Sequence, residues 1–192
     1  DHVDVRGPAL WGIAESERSR AFARLIKEGK IKEAGELMFI GHDGDRLFTF
    51  NGNYDPIDYI SNKVTDSYLD CLIDDIKSND FERVKRAELA KQPGDYDASS
   101  LELDRIVEIV KNVDGVIGAS LTGAGFGGNV LAIVDNNDGI LSKLREKLLS
   151  DYYEKNESEE LEWFIKDKEL KLAFDDEDEL DYARNKVSEI VP

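Results

Sequence analysis

The sequence predicts an α+β domain, and three observations lead there. Amphipathic helical patterns dominate up to residue 112, a glycine-rich segment joins two short apolar runs at residues 115–121 and 130–134, and helical and alternating patterns follow. From residue 100 onward the order helix, hairpin, helix, strand is the central part of a ferredoxin-like plait, an antiparallel sheet backed by helices.

The elements follow in chain order. Residues 13–28 read as a helix with Ala14, Ala21, Phe22, Leu25 and Ile26 apolar, stopped by Gly29. Residues 31–40 read as a second, with Ile31, Ala34, Leu37 and Met38 on one face. Residues 41–56 are rich in Gly, Asp and Asn and read as loop. A long amphipathic helix is predicted over 57–77, where Ile57, Ile60, Val64, Tyr68, Cys71, Leu72 and Ile76 recur at three- and four-residue steps. A short helix over 81–90 and a turn at Gln92-Pro-Gly-Asp95 come next. Ser99 or Ser100 caps a helix running to Asn112, with Leu103, Ile106, Val107 and Val110 inward. Beyond the glycine segment, 139–153 reads as a helix. Leu161, Trp163 and Ile165, then Leu170, Leu172 and Phe174, alternate as two strands, and 176–190 closes as a helix. The acids at 175–178 suit the positive end of that helix's dipole and are read as a solvated helix start rather than a cation site.

Composition bounds the function. A chain of 192 residues fits one domain, 1–192. The net charge of −17 argues against nucleic acid and anionic membranes as partners. No apolar run approaches the ~18 residues of a membrane span, and no signal peptide is visible. The single cysteine, Cys71, cannot form an internal disulfide, so a cytoplasmic location is expected. Cys71 is expected in the core, and Trp11 and Trp163 as core or interface anchors. His2 and His42 without a cysteine cluster give no zinc signature, and Asp43 and Asp45 do not continue into an EF-hand loop, so no metal ligands are assigned.

Thr122, Gly123, Ala124, Gly125, Phe126, Gly127 and Gly128 form the candidate binding loop. Glycine reaches φ > 0 freely and bares backbone N–H groups, and successive N–H groups make a concavity for phosphate. Gly128 is followed by Asn129-Val130, not the Lys-Ser/Thr of a Walker A loop. Gly123, Gly125 and Gly128 fit G-x-G-x-x-G, but that fingerprint opens a helix, and the β-branched run that follows here is a strand. The segment is therefore strand–loop–strand. The alternative to a phosphate site is a structural hairpin with a glycine bulge. A second candidate, His42 with Asp43 and Arg46, follows a helix; its alternative reading is a C-cap and turn.

Leu121-Thr-Gly-Ala-Gly-Phe-Gly-Gly128 resembles the third conserved motif of the galactokinase branch of the GHMP small-molecule kinases. Gly94-Asp-Tyr-Asp-Ala-Ser-Ser-Leu-Glu-Leu-Asp104, Val113-Asp-Gly-Val-Ile-Gly118, and Glu36-Leu-Met38 with Gly41-His42 are similar to other segments of that family, in order. Ser120 stands where galactokinases usually carry Arg or Lys, Asn129-Val130 where they usually carry Cys-Thr, and residues 47–92 look like a helical insertion relative to compact members.

The resemblance implies the C-terminal domain of an ATP-dependent sugar 1-kinase that uses magnesium. It also implies a partner N-terminal domain holding the catalytic Asp, its Arg partner and the main ATP and sugar motifs. None of those motifs occurs in this sequence, so no catalytic residue is assigned and the chain alone is expected to be inactive. Its expected partners are ATP, a monosaccharide and that N-terminal half. The alternatives are a non-catalytic sugar and ATP sensor of the same family, another GHMP kinase (fucose, arabinose or mevalonate), or a free-standing α+β interaction domain.

Overall fold

A computed structural model of the chain describes residues 5–123 and 128–153. The chain divides after Tyr152 into two units, and the described elements, Tyr153 apart, belong to the first. The strands expected at 161–165 and 170–174 and the helix expected at 176–190 lie outside the described residues, as do Ala124, Gly125, Phe126 and Gly127.

Helix α1 spans Arg6–Lys27. Gly29, at φ +72°, ends it with a paired backbone closure: Lys30 N–H donates to Leu25 O and Gly29 N–H to Ile26 O. That pattern needs a left-handed residue, which glycine supplies without strain. Helix α2, Ile31–Asp45, runs five residues past the expected end at residue 40. Gly41 and Gly44 do not break it because both are packing sites: a Cβ on Gly41 would touch the Glu15–Arg18 pair, and one on Gly44 would overlap Pro93 and Trp11. Tertiary contact overrides the helix cost of glycine.

The long helix expected over 57–77 is instead a hairpin and a shorter helix. Strands β1, Phe48–Phe50, and β2, Pro56–Asp58, pair antiparallel. The Asn51 side chain accepts from the N–H groups of Asn53 and Asp55 to shape their turn. Helix α3, Asp66–Ile76, begins only where Thr65 caps it by accepting from Tyr68 N–H. Ile57 and Ile60, which complete a helical stripe in the sequence, are exposed. Cys71 is exposed as well, not in the core as expected. Helix α4, Phe81–Arg86, and a 3-10 turn at Leu89–Lys91 lead to the segment before α5.

Helix α5, Leu101–Lys111, is capped by Ser100, whose hydroxyl accepts from Leu103 N–H. Strands β3, Val116–Thr122, and β4, Asn129–Val134, form the expected antiparallel hairpin, its last pair Thr122↔Asn129. The register steps at Ile117, which gains no cross-strand partner: a β-bulge. Helix α6, Asp138–Leu148, follows and runs into a π turn at Leu149–Tyr153. Val107, Val110 and Ala119 form one buried cluster, covered by Leu144 and Leu148 of α6 and Phe39 of α2. Ala21, Leu37 and Ala90 form a second, between α1, α2 and the 3-10 turn. Helices with two small antiparallel sheets make this an α+β fold. No helix among the described residues is long and apolar enough to cross a membrane.

Candidate functional site

A cleft of about 470 Å³ opens between α1, α2 and the end of β3. Ser120, Leu121 and Gly123 bring the start of the glycine loop to its edge. Gly123 and Gly128, the described ends of the loop, have φ of +104° and +122°, a region that favours glycine. Thr122 closes the ladder opposite Asn129, and its side chain is exposed. Ala124, Gly125, Phe126 and Gly127 lie outside the described residues.

The cleft's polar wall comes from three separated segments. Arg18 sits on the buried stripe of α1 with Ala14 and Ala21, and is 3 % exposed. Its Nη2 donates to Gln92 O at 2.9 Å, and its Nε stands 3.3 Å from Glu15 Oε2. Burial lowers the Arg18 pKa, and the charges of Glu15 and Asp45 oppose that loss. Asp45, the last residue of α2, is buried beside them. Trp11 stacks on Tyr96 with ring centroids 4.3 Å apart and planes 17° apart, an aromatic flank to the same cleft.

Burial and the neighbouring Glu15 push the Asp45 carboxyl up to about 7, against the pull of the Trp11 indole and Arg18. The Trp11 Nε1–H makes no hydrogen bond of good geometry, so its pull is that of a nearby dipole. A carboxyl that titrates near 3.8 when unfolded and near 7 when folded binds its proton more tightly in the native state. This group therefore adds stability at low pH and loses it as pH rises from about 4 to about 7. Asp45→Asn is expected to flatten that slope and to be more stable than the wild type at pH 8 by about 2 kcal/mol, allowing for screening by cleft solvent. Urea unfolding at pH 5 and pH 8 measures it. An unchanged slope in the variant would assign the titration elsewhere.

His42, Asp43 and Arg46 do not line this cleft. His42 is fully buried inside α2, with Nε2 3.2 Å from Asp104 Oδ1, an ion-pair distance off the line of a hydrogen bond. Arg46 is 4 % exposed, with Nε donating to Asp43 Oδ1 at 3.1 Å and Nη1 3.5 Å from Glu108. Asp43 faces a different pocket. The structure thus brings the glycine loop's entrance together with Glu15, Arg18, Asp45, Trp11 and Tyr96, residues the sequence reading did not select. The available signal was Arg18, a charged residue interrupting an apolar helical stripe. Among the described residues no group of three His, Cys, Asp or Glu side chains could hold a metal ion.

Residues 72–154, which run from the second half of α3 through the glycine hairpin and α6, match the family model of GHMP kinases C terminal. Over that part the chain is similar to the C-terminal domain of GHMP kinases, and the curated relatives it resembles are galactokinases. It is 41% identical to the galactokinase of Staphylococcus saprophyticus over 61 residues, 32% of this chain and 15% of that protein. It is 33% identical to the galactokinase of Lacticaseibacillus casei over 131 residues, 64% of this chain and 32% of the relative. It is 35% identical to that of Thermosipho africanus over 83 residues, 41% and 22% of the two chains. The chain thus spans a third or less of the length of these relatives. No solved structure matches it.

Proposed function

We propose that this chain is the C-terminal part of an ATP-dependent sugar 1-kinase of the galactokinase type. The observation that carries the reading is the sequence Leu121-Thr-Gly-Ala-Gly-Phe-Gly-Gly128 between β3 and β4, whose described start, with Ser120, Leu121 and Gly123, lines the cleft. The reaction breaks the bond between the γ-phosphorus of ATP and the β–γ bridging oxygen. It forms a bond from that phosphorus to the anomeric oxygen of a monosaccharide, whose proton leaves to a base. In such a transfer the protein mostly positions groups and stabilises spread charge. Backbone N–H groups of residues 122–128 supply that stabilisation on one side of the phosphates, with the glycines permitting close approach. The acting base and the rest of the ATP and sugar contacts belong to an N-terminal part, and the chain alone is inactive. Magnesium enters with the ATP phosphates and takes no ligand assigned in this chain.

Thermal unfolding of the full-length parent with Mg-ATP and a panel of free hexoses tests the reading. A midpoint that rises with Mg-ATP and one sugar, galactose first, supports it by mass action. Turnover separates an enzyme from a sensor that binds both and transfers nothing. A folded parent with no shift for any pair overturns the reading. Gly125→Val or Gly127→Val in the parent is expected to cut kcat/KM by about 100-fold or more, the scale for losing backbone stabilisation of a transition state, with the unfolding midpoint nearly unchanged. Wild-type activity in both variants would remove the loop from the mechanism.

A further inference from the structure

A second pocket, of about 480 Å³, lies on the other side of α2 and shares no lining residue with the cleft. One face of α3 builds it: Tyr68, Cys71, Leu72 and Asp75 recur at helical three- and four-residue steps. Tyr68, Cys71 and Leu72 belong to the apolar stripe of the helix the sequence predicts over 57–77, and Cys71 is the one expected in the core. Instead they face a cavity closed by Ile40 and Pro93 and ringed by Lys63, Arg86 and Lys91.

The charge balance of this pocket is opposite to that of the chain. The chain carries −17. Of the two carboxylates in the pocket's wall, Asp43 is paired with Arg46, which stands outside the lining and also lies 3.5 Å from Glu108. Asp75 is shared by two guanidiniums, Arg83 at 2.7 Å and Arg86 at 3.0 Å through its Nε. Those two bonds, Arg86 first, hold the Asp75 carboxyl below the usual range. Two guanidiniums on one carboxylate leave a positive charge uncompensated. Lys63 adds another: its ammonium lies 4.9 Å from the Tyr68 ring centroid and has no carboxylate partner among the described residues. Lys91 is the third cation of the wall, paired with the exposed Glu88 at 3.3 Å and donating from its Nζ to Lys85 O at 3.0 Å. The Tyr68 hydroxyl donates to Gln92 Oε1 at 2.7 Å, which fixes the ring beneath Lys63.

We propose that this pocket binds a small phosphate-bearing molecule, with its phosphate between Lys63, Arg86 and Lys91 and its body against Leu72, Ile40 and Pro93. Ammonium and guanidinium groups in the wall of one pocket suit a multiply charged oxyanion, and the volume lies in the range of small-molecule sites. In a strongly acidic chain, a pocket lined by three cations and two carboxylates is a place that favours a free anion. The site is independent of the kinase reading.

The full 192-residue chain, titrated with inorganic phosphate at constant ionic strength against a chloride control, tests it. Cys71 is the single cysteine and lines the pocket, so its alkylation by iodoacetamide reports occupancy at this place. A saturable rise in the unfolding midpoint is expected, together with slowed Cys71 alkylation. Lys63→Met, which removes the charge and keeps the stem, is expected to weaken both responses roughly threefold to tenfold, the scale for one charge near a protein surface. Lys63→Arg is expected to restore them. No saturable shift overturns the proposal. So does a shift with Cys71 alkylated at its unliganded rate, which places the phosphate elsewhere, and so does unchanged binding by a folded Lys63→Met chain. None of these outcomes bears on the ATP and sugar test, which reads the opposite side of α2.

Discussion

Asp104→Ala is expected to lower the stability of the first unit by about 3–5 kcal/mol, the scale for removing one partner from a buried charged network. Asp104 is fully buried on α5. Its Oδ2 accepts from Phe48 N–H at 2.8 Å and Leu47 N–H at 2.9 Å, and its Oδ1 faces His42. Burial alone would raise its pKa. His42, the nearby Ser99 hydroxyl and the two backbone donors outweigh burial and hold the carboxyl below its ordinary range. A depressed folded pKa means that this stabilisation is present at neutral pH and is lost as pH falls through the acidic range. Alanine strands two part-buried N–H groups and a fully buried histidine. Asp104→Asn keeps an acceptor and is expected to cost about 1–2 kcal/mol. Denaturant midpoints of the two variants decide it; equal, small losses would mean that the carboxylate is replaceable. The effect reaches the cleft, because Asp104 fixes the chain two residues beyond Asp45. Ser99 N–H donates to Asp45 O, and Tyr96 N–H to Gly44 O, in the same bracket.

The hairpin, the helix capped by Ser100 and the first helix are legible because local chemistry decides them. Branched apolar runs flank a glycine cluster, a hydroxyl sits before an apolar stripe, and Gly29 closes a helix. The extension of α2 is not legible, since Gly41 and Gly44 read as breakers until Glu15, Arg18, Pro93 and Trp11 are placed against them. Ile57 and Ile60 counterfeit a helical stripe with side chains that stay exposed, and only the Thr65 cap and the Asn51 turn reveal the true boundary. The loop half of the candidate site is visible as a glycine pattern. Its other half joins Glu15 and Arg18 to Asp45 and Tyr96, which no spacing in one segment connects. The candidates His42, Asp43 and Arg46 leave the cleft for the same reason: once α2 continues, its helical twist turns His42 into the interior and Asp43, still paired with Arg46, toward a second pocket.

Gly118→Val is expected to cost about 3 kcal/mol, the upper range for overpacking a tight contact, and to erase any ATP and sugar response of the parent. Gly118 and Gly35 meet where α2 crosses β3. A Cβ on Gly118 would overlap the backbone of Gly35, and one on Gly35 would overlap the carbonyl of Ile117, the bulged residue. Backbone cannot rotate aside as a side chain can, so α2 must lift from the strand. A glycine within a strand pattern is the sequence sign of such an approach. Lifting α2 moves Met38, Gly41 and Asp45 away from Ser120 and Leu121, the opposite wall of the cleft. Gly12→Ala is the matched control: nothing lies within 4 Å of its added Cβ, on the helix α1. It is expected to raise stability by about 0.5–1 kcal/mol through helix propensity and unfolded-chain entropy. Urea midpoints moving in opposite directions for the two variants would tie the cleft's geometry to the α2–β3 crossing. A Gly118→Val chain as stable as Gly12→Ala would show that the crossing yields at no cost, and the cleft would then owe its shape to other contacts.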